Sequence, residues 1–169
     1  MTRYSFLSIP SRLEGFNNSD TTVIKSVSGR EVFCFNGTLE LAESDRPCPV
    51  CGGRMHINGH RELVLRHLCF GRSLSAVRFD RVQLVCHCGH SHMQTVPFKA
   101  EGHQISVELW RYARDLLVLG TYTLKQVAEI TGLGKNTVKD IDLKCLKGQL
   151  KSLVSLTRGT IQKVLNLPH

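Results

Sequence analysis

Two cysteine pairs constrain this chain more than any other feature. Residues 46–53 read RPCPVCGG and residues 85–92 read VCHCGHSH, so two residues separate Cys48 from Cys51, one separates Cys86 from Cys88, and a glycine follows each pair directly. A glycine there lets the chain double back and turn backbone amides toward two thiolates, which is half of a structural zinc site. Four thiolates from two such turns close a tetrahedron around one Zn2+ ion, making Cys48, Cys51, Cys86 and Cys88 the expected metal ligands. The CHC spacing leaves other completions open. Val85 stands where the first ligand of the second pair usually stands and cannot ligate, so either Cys86 serves from one residue further on or His90 or His92 takes its place. The bland reading is that the cysteines only pack. A redox use of CPVC is disfavoured, because thioredoxin-like motifs open a helix whereas Gly52 and Gly53 here lead toward strand-like sequence.

Between the pairs, RELVLRHLCF and SAVRFDRVQLV alternate apolar and polar residues around a turn at Gly71 and Arg72, the pattern of a β-hairpin. The apolar phase slips from Val77 and Phe79 to Val82 and Leu84, which predicts a bulge near Asp80. Residues 46–98 are thus expected to form a zinc ribbon. Its core is too thin to hold alone, and metal binding of about 10 to 16 kcal/mol at neutral pH would supply what packing cannot. His56, His60 and His67 read as surface residues of strands or turns, and Cys69 as packing beside Phe70. Upstream, TTVIKSV and EVFCF flank Ser28 and Gly29 and predict a small β segment, residues 1–45, packing on the ribbon. Cys34, between two phenylalanines, reads as a small buried hydrophobe.

Composition narrows the class. With 41% hydrophobic and 21% charged residues the chain reads as a folded soluble protein. The longest aliphatic run, Leu116 to Leu119, is far below the roughly 20 apolar residues a bilayer span needs. The N-terminus lacks the apolar core of a secretory signal, so a cytoplasmic location is expected. Seven cysteines, an odd number, then argue for metal or burial over a disulfide framework. Net charge is +8, divided as −2 over residues 1–45, +5 over 46–102 and +5 over 103–169. An acidic opening before two basic stretches suggests a polyanionic partner, although solvated basic faces are common.

Residues 103–150 follow helical spacing. Leu109, Trp110, Ala113, Leu116 and Leu117 form one apolar face, ending near Gly120; Thr123 can cap a second helix, LKQVAEITG, with Val127, Ala128 and Thr131 inward. Gly132 permits the positive φ of a tight turn, Leu133 fills the corner, and a third helix starts near Lys135 with Val138 and Ile141 inward. Ala128, Gly132 and Val138 stand at the relative positions of a helix-turn-helix. Its second helix would offer Lys135, Asn136, Thr137, Lys139, Asp140 and Lys144 to base edges and phosphates of double-stranded DNA, with Arg111, Arg114 and Lys125 as further phosphate contacts or solvated charge. Lys147 and Lys151 share that last, ambiguous status, as do the hairpin arginines Arg54, Arg61, Arg66, Arg78 and Arg81. A short linker near Lys99 to His103 would join the two domains; the stretch from Gly148 onward reads as one or two helical turns with Leu150, Leu153, Ile161, Val164 and Leu165 as apolar positions, and residues 151–169 as a helical C-terminal tail. The fold class expected is α+β: a small β/zinc-ribbon domain, then an all-α helix-turn-helix domain.

In this order the pieces resemble the N-terminal part of bacterial insertion-sequence transposases of the ISL-three type, over about residues 20 to 150. The resemblance rests on Cys48 to Gly52, Gly59 to Arg61, Arg81 to Cys88 and Thr137 to Asp142, with CHC in place of CxxC and Gly134 where serine would cap the third helix. It implies recognition of the terminal inverted repeats of a mobile element, with a full-length transposase or a second copy as possible protein partner. In that family an RNase H-like catalytic domain follows; this chain stops at His169, so DNA binding without strand cleavage, and no enzyme activity, is the expectation. A stand-alone zinc-containing helix-turn-helix transcriptional regulator is the alternative. A zinc hydrolase would need an open metal position that four cysteines do not leave, and a zinc-held protein-interaction module would not depend on the lysines of the third helix.

Overall fold

The computed structural model describes residues 2–4, 13–26 and 29–165, with side chains over residues 13–26 and 29–150. It is a mixed α+β chain that divides into two compact units, Met1–Trp110 and Arg111–His169.

The first unit is built on one sheet. Strands β1 (Thr2–Tyr4), β2 (Phe16–Lys25), β3 (Glu31–Leu39), β4 (His56–Phe70) and β5 (Ser73–Val85) lie in the order β1-β2-β3-β5-β4, and β6 (Ser91–Met93) pairs with β5 as well. All pairings are antiparallel except β3 with β5, which run parallel from Val32↔Leu74 to Asn36↔Arg78. One edge of β5 thus serves β3 along its first half and β6, at Gln83 to Val85, near its end. The segment expected to pack on a separate ribbon, residues 1–45, instead contributes strands to the hairpin's own sheet. Gly29, at φ 77°, turns the chain between β2 and β3; Ser28 lies outside the described residues. Gly37 is demanded by close approach, since a Cβ there would meet the Phe16 ring at 2.7 Å and the Asn17 carbonyl.

Both faces of the sheet bury apolar side chains, in different places. Phe16, Phe35, Leu65, Val77 and Phe79 join Val96 and Phe98 in the main cluster. Val32, Cys34, Leu74 and Ala76 form a second, with Cys69 packed against it, and Leu84 joins Met55, Cys48 and Cys86 in a third. This removes the bulge expected near Asp80. The β4/β5 register runs unbroken from Gly59↔Gln83 to His67↔Ser75, and the irregularities fall in β4, at Ile57/Gly59 and His67/Phe70. The phase slip in the sequence marks a strand that changes which face it buries, Val77 and Phe79 serving one core and Leu84 another.

Residues 96–107 are not a free linker either. Ala100 donates to the Ile105 carbonyl (2.9 Å), Arg66 to Gln104 (3.1 Å), Ser106 back to Arg66 (2.8 Å) and Val107 to Phe98 (2.8 Å). Burial of Val96, Phe98, Ala100 and Ile105 holds this segment on the sheet. His67, expected at the surface, is 2% exposed. Its Nδ1 lies 2.8 Å from Ser106 Oγ, which also accepts the Leu109 N–H at 3.1 Å and so caps helix α1 (Val107–Val118).

Helix α1 passes from the first unit into the second, which also holds α2 (Leu124–Thr131) and α3 (Lys135–Leu165). Thr123 caps α2 through a full capping box with Gln126, and Gly132 takes φ 68° at its C-terminus. Val127, Ala128, Thr131, Leu133, Val138 and Ile141 are all buried. Beyond Leu150 the backbone of α3 runs on to Leu165 without a break; the side chains expected to be apolar at Leu153, Ile161, Val164 and Leu165 lie outside those described. Among the described residues no helix is long and apolar enough to cross a membrane.

Candidate functional site

The two glycine-bearing turns meet at the end of the β4/β5 hairpin. In the first, Gly52 donates to the Cys48 carbonyl (2.8 Å) and Cys48 to Gly53 (2.7 Å); in the second, Gly89 donates to Cys86 (2.9 Å) and Cys86 to His90 (2.9 Å). Gly52 and Gly89 have φ of 69° and 87°, which side chains with a Cβ rarely adopt. Gly53 matters for a different reason: a Cβ there would stand 3.3 Å from Cys51 Sγ and 3.6 Å from Cys86 Sγ.

The sulfurs of Cys48, Cys51, Cys86 and Cys88 all lie within 4.8 Å of one another, with Cys48–Cys88 at 3.6 Å and Cys51–Cys86 at 3.5 Å. These four residues can hold a metal ion. Metal–sulfur bonds of about 2.3 Å in a tetrahedron put the sulfurs about 3.8 Å apart, so little adjustment separates this cluster from a ligand cage. His90 and His92 pack at a tilt with ring centroids 5.6 Å apart and are outside the group of converging ligand atoms, as are His56 and His87, edge to face at 5.1 Å.

Electrostatics within the cluster are uneven. Burial opposes ionisation of Cys48, yet the backbone amides of Cys51 and Val50, with the Cys88 and Cys51 thiols, bring it down to about 6. The Gly53 amide favours a Cys51 thiolate, but the sulfurs of Cys86, Cys88 and Cys48 outweigh it and push that thiol up to about 12. Four sulfurs this close carry several negative charges only around a cation. Burial also raises Cys34, Cys69 and Cys145, and none of the three joins the cluster.

A buried polar network that sequence reasoning missed braces this end of the sheet. Gln94, 1% exposed, donates through Nε2 to the Glu40 carbonyl (2.9 Å) and the Leu39 carbonyl (3.3 Å), and its Oε1 accepts the Val82 N–H (3.2 Å). Arg81 donates to the Gln94 carbonyl through Nη2 (2.6 Å) and Nε (3.1 Å), and Asp45 accepts from the Thr95 N–H (2.9 Å) and hydroxyl (2.6 Å). Nothing in the sequence marks them, since Asp45 lies between Ser44 and Arg46 and Gln94 between Met93 and Thr95, and no spacing rule picks out either. Arg81 is therefore engaged internally, whereas Arg54 and Arg61 are exposed.

In the second unit, Lys135, Asn136 and Lys139 are exposed on the first turns of α3, and Thr137 is half-buried. Arg111 is exposed on α1. Several of the other basic candidates are partly neutralised: Lys144 pairs with Asp140 at 3.3 Å, Arg114 with Asp115 at 2.7 Å and Lys125 with Glu129 at 4.0 Å. Lys135 and Lys139, at the start of α3 after the Gly132 turn, are in no ion pair among the described residues. Comparison with known families finds no match, and none of the curated proteins or solved structures compared is similar to the chain.

Proposed function

We propose that the chain is a sequence-specific DNA-binding protein with one structural Zn2+ held by Cys48, Cys51, Cys86 and Cys88, and that its α2–turn–α3 segment works as a helix-turn-helix. The reading is carried by one arrangement: a capped short helix, a left-handed Gly132 and a buried Leu133 lead into a helix that opens with exposed Lys135, Asn136 and Lys139. A helix opening this way fits the major groove, where Asn136 pairs with adenine and the lysines with guanine or phosphate. Asp140, tied to Lys144, keeps the contact directional by excluding phosphate from its side of the helix. The zinc-ribbon half is supported by the chemistry of its donors. Four thiolates saturate a tetrahedral ion, so the metal supplies cross-linking and the β4/β5 hairpin end gains the stability its thin core lacks.

Within this reading the target is the terminal inverted repeat of a mobile element, as the resemblance to transposases of the ISL-three type implies. The test is selection of bound duplexes from genomic DNA by the intact, zinc-loaded chain and by a Lys135→Ala, Asn136→Ala, Lys139→Ala variant. Enrichment of inverted repeats flanking mobile elements, lost in the triple variant, is the expected result. Enrichment of promoter operators would transfer the function to transcriptional regulation, and binding that ignores the triple substitution would refute the role given to α3.

A further inference from the structure

We propose that an exposed leucine stripe on α3 joins two copies of this chain in a parallel coiled coil. Val138 and Ile141 on this helix are 0% exposed. At about 100° per residue, the stripe of Leu143, Leu146 and Leu150 centres about 110° around the helix from Val138 and about 170° from Ile141, and the three are 44%, 48% and 61% exposed. A single exposed leucine needs no explanation. Three of them at a spacing of three and then four, facing away from the buried side, follow the narrow seam of a coiled coil. The sequence carries the spacing on to Leu153.

Charge selects the occupant of the seam. With Leu143 and Leu150 at a positions and Leu146 at d, Asp142 falls at g and Lys147 at the next e. In a parallel pair, g of one helix faces the following e of the other, so Asp142 meets Lys147 of the second copy, twice by symmetry. In an antiparallel pair g faces g and e faces e, so Asp142 meets uncharged Gln149 and Lys147 meets only Asp140, which Lys144 of its own helix already holds at 3.3 Å. A second copy in parallel register is therefore the partner whose charges complement this helix. Self-association stands whether or not the chain binds DNA. If it does, the two α3 N-termini lie on either side of a two-fold axis, and the preferred site is a palindrome.

Sedimentation equilibrium on the full chain tests this, with metal content and far-ultraviolet circular dichroism as folding controls. The wild type is expected to dimerise, and Leu146→Glu with Leu150→Glu to be a monomer of unchanged metal content and dichroism. Asp142→Lys or Lys147→Asp alone should weaken the dimer about tenfold, and the two together restore it. These reversals leave every leucine in place, so they report on register even if the glutamate variant fails to fold. A wild type monomeric at every concentration reached, a dimer indifferent to both glutamates, or a double reversal that gives no rescue would each overturn the proposal.

Discussion

Cys86 decides how the metal centre is completed. It is 5% exposed, and its sulfur sits 3.5 Å from that of Cys51, whereas the short CHC spacing leaves His90 and His92 as alternatives to the expected Cys86. Spacing alone was ambiguous because a one-residue change in a turn re-aims a side chain. In the folded chain the Cys86 amide bonds the His90 carbonyl, and this closes the second turn with Cys86 inside it. We expect Cys86→Ser to abolish stoichiometric zinc by elemental analysis, and His90→Ala and His92→Ala each to keep one ion per chain. His67 was misread at the same scale, since an alternating strand does not reveal that a later segment, through Ser106, will cover one of its polar positions. Burial lowers the His67 pKa below 6.5 and Glu108, 3.5 Å from Nε2, partly opposes this, so the folded chain holds the ring neutral near neutral pH. The unfolded chain takes up that proton first. The contribution of His67 is therefore complete above about pH 6.5 and declines below it, by at most about 1.4 kcal/mol per pH unit. Urea midpoints measured at pH 7.5 and 5.5 should fall further for the wild type than for His67→Gln; equal falls would remove His67 as the cause.

Among the elements, local rules succeeded where the information was local. Thr123 and Gln126 form the capping box, and Gly132 is the left-handed turn that its place after a helical pattern implied. Gly132→Val should destabilise the second unit by about 1 to 3 kcal/mol through strained backbone, and Ser106→Ala should cost about 1 to 2 kcal/mol by uncapping α1. Both follow from urea or thermal unfolding, and a neutral Gly132→Val would argue against the tight turn. Local rules failed on β5. Its alternation was read as one buried face and a bulge, but a strand inside a sheet covered on both sides owes no single phase.

On the scale of the whole molecule, least was legible. No local pattern announces that β3 runs parallel to β5 across thirty-three intervening residues, a whole strand among them, because a crossover is fixed by the joint burial of distant segments. The same holds for the Gln94 and Asp45 network, which ties residues 39–45 to the far end of the hairpin. If the metal's work is structural, chelation should raise amide exchange around residues 46–56 and 82–93 and leave the helices of the second unit protected. Uniform loss of protection would mean that the two units unfold as one. The central claim, that α3 reads duplex DNA on a metal-held protein, meets its most direct test in equilibrium binding of the zinc-loaded chain to selected and scrambled duplexes across salt concentrations. The account expects preference for the selected duplex, a slope of log K on log salt of about −0.9 per phosphate contact, and loss of that preference in the Lys135, Asn136, Lys139 alanine variant. Equal affinity for both duplexes, or affinity indifferent to salt, would contradict it.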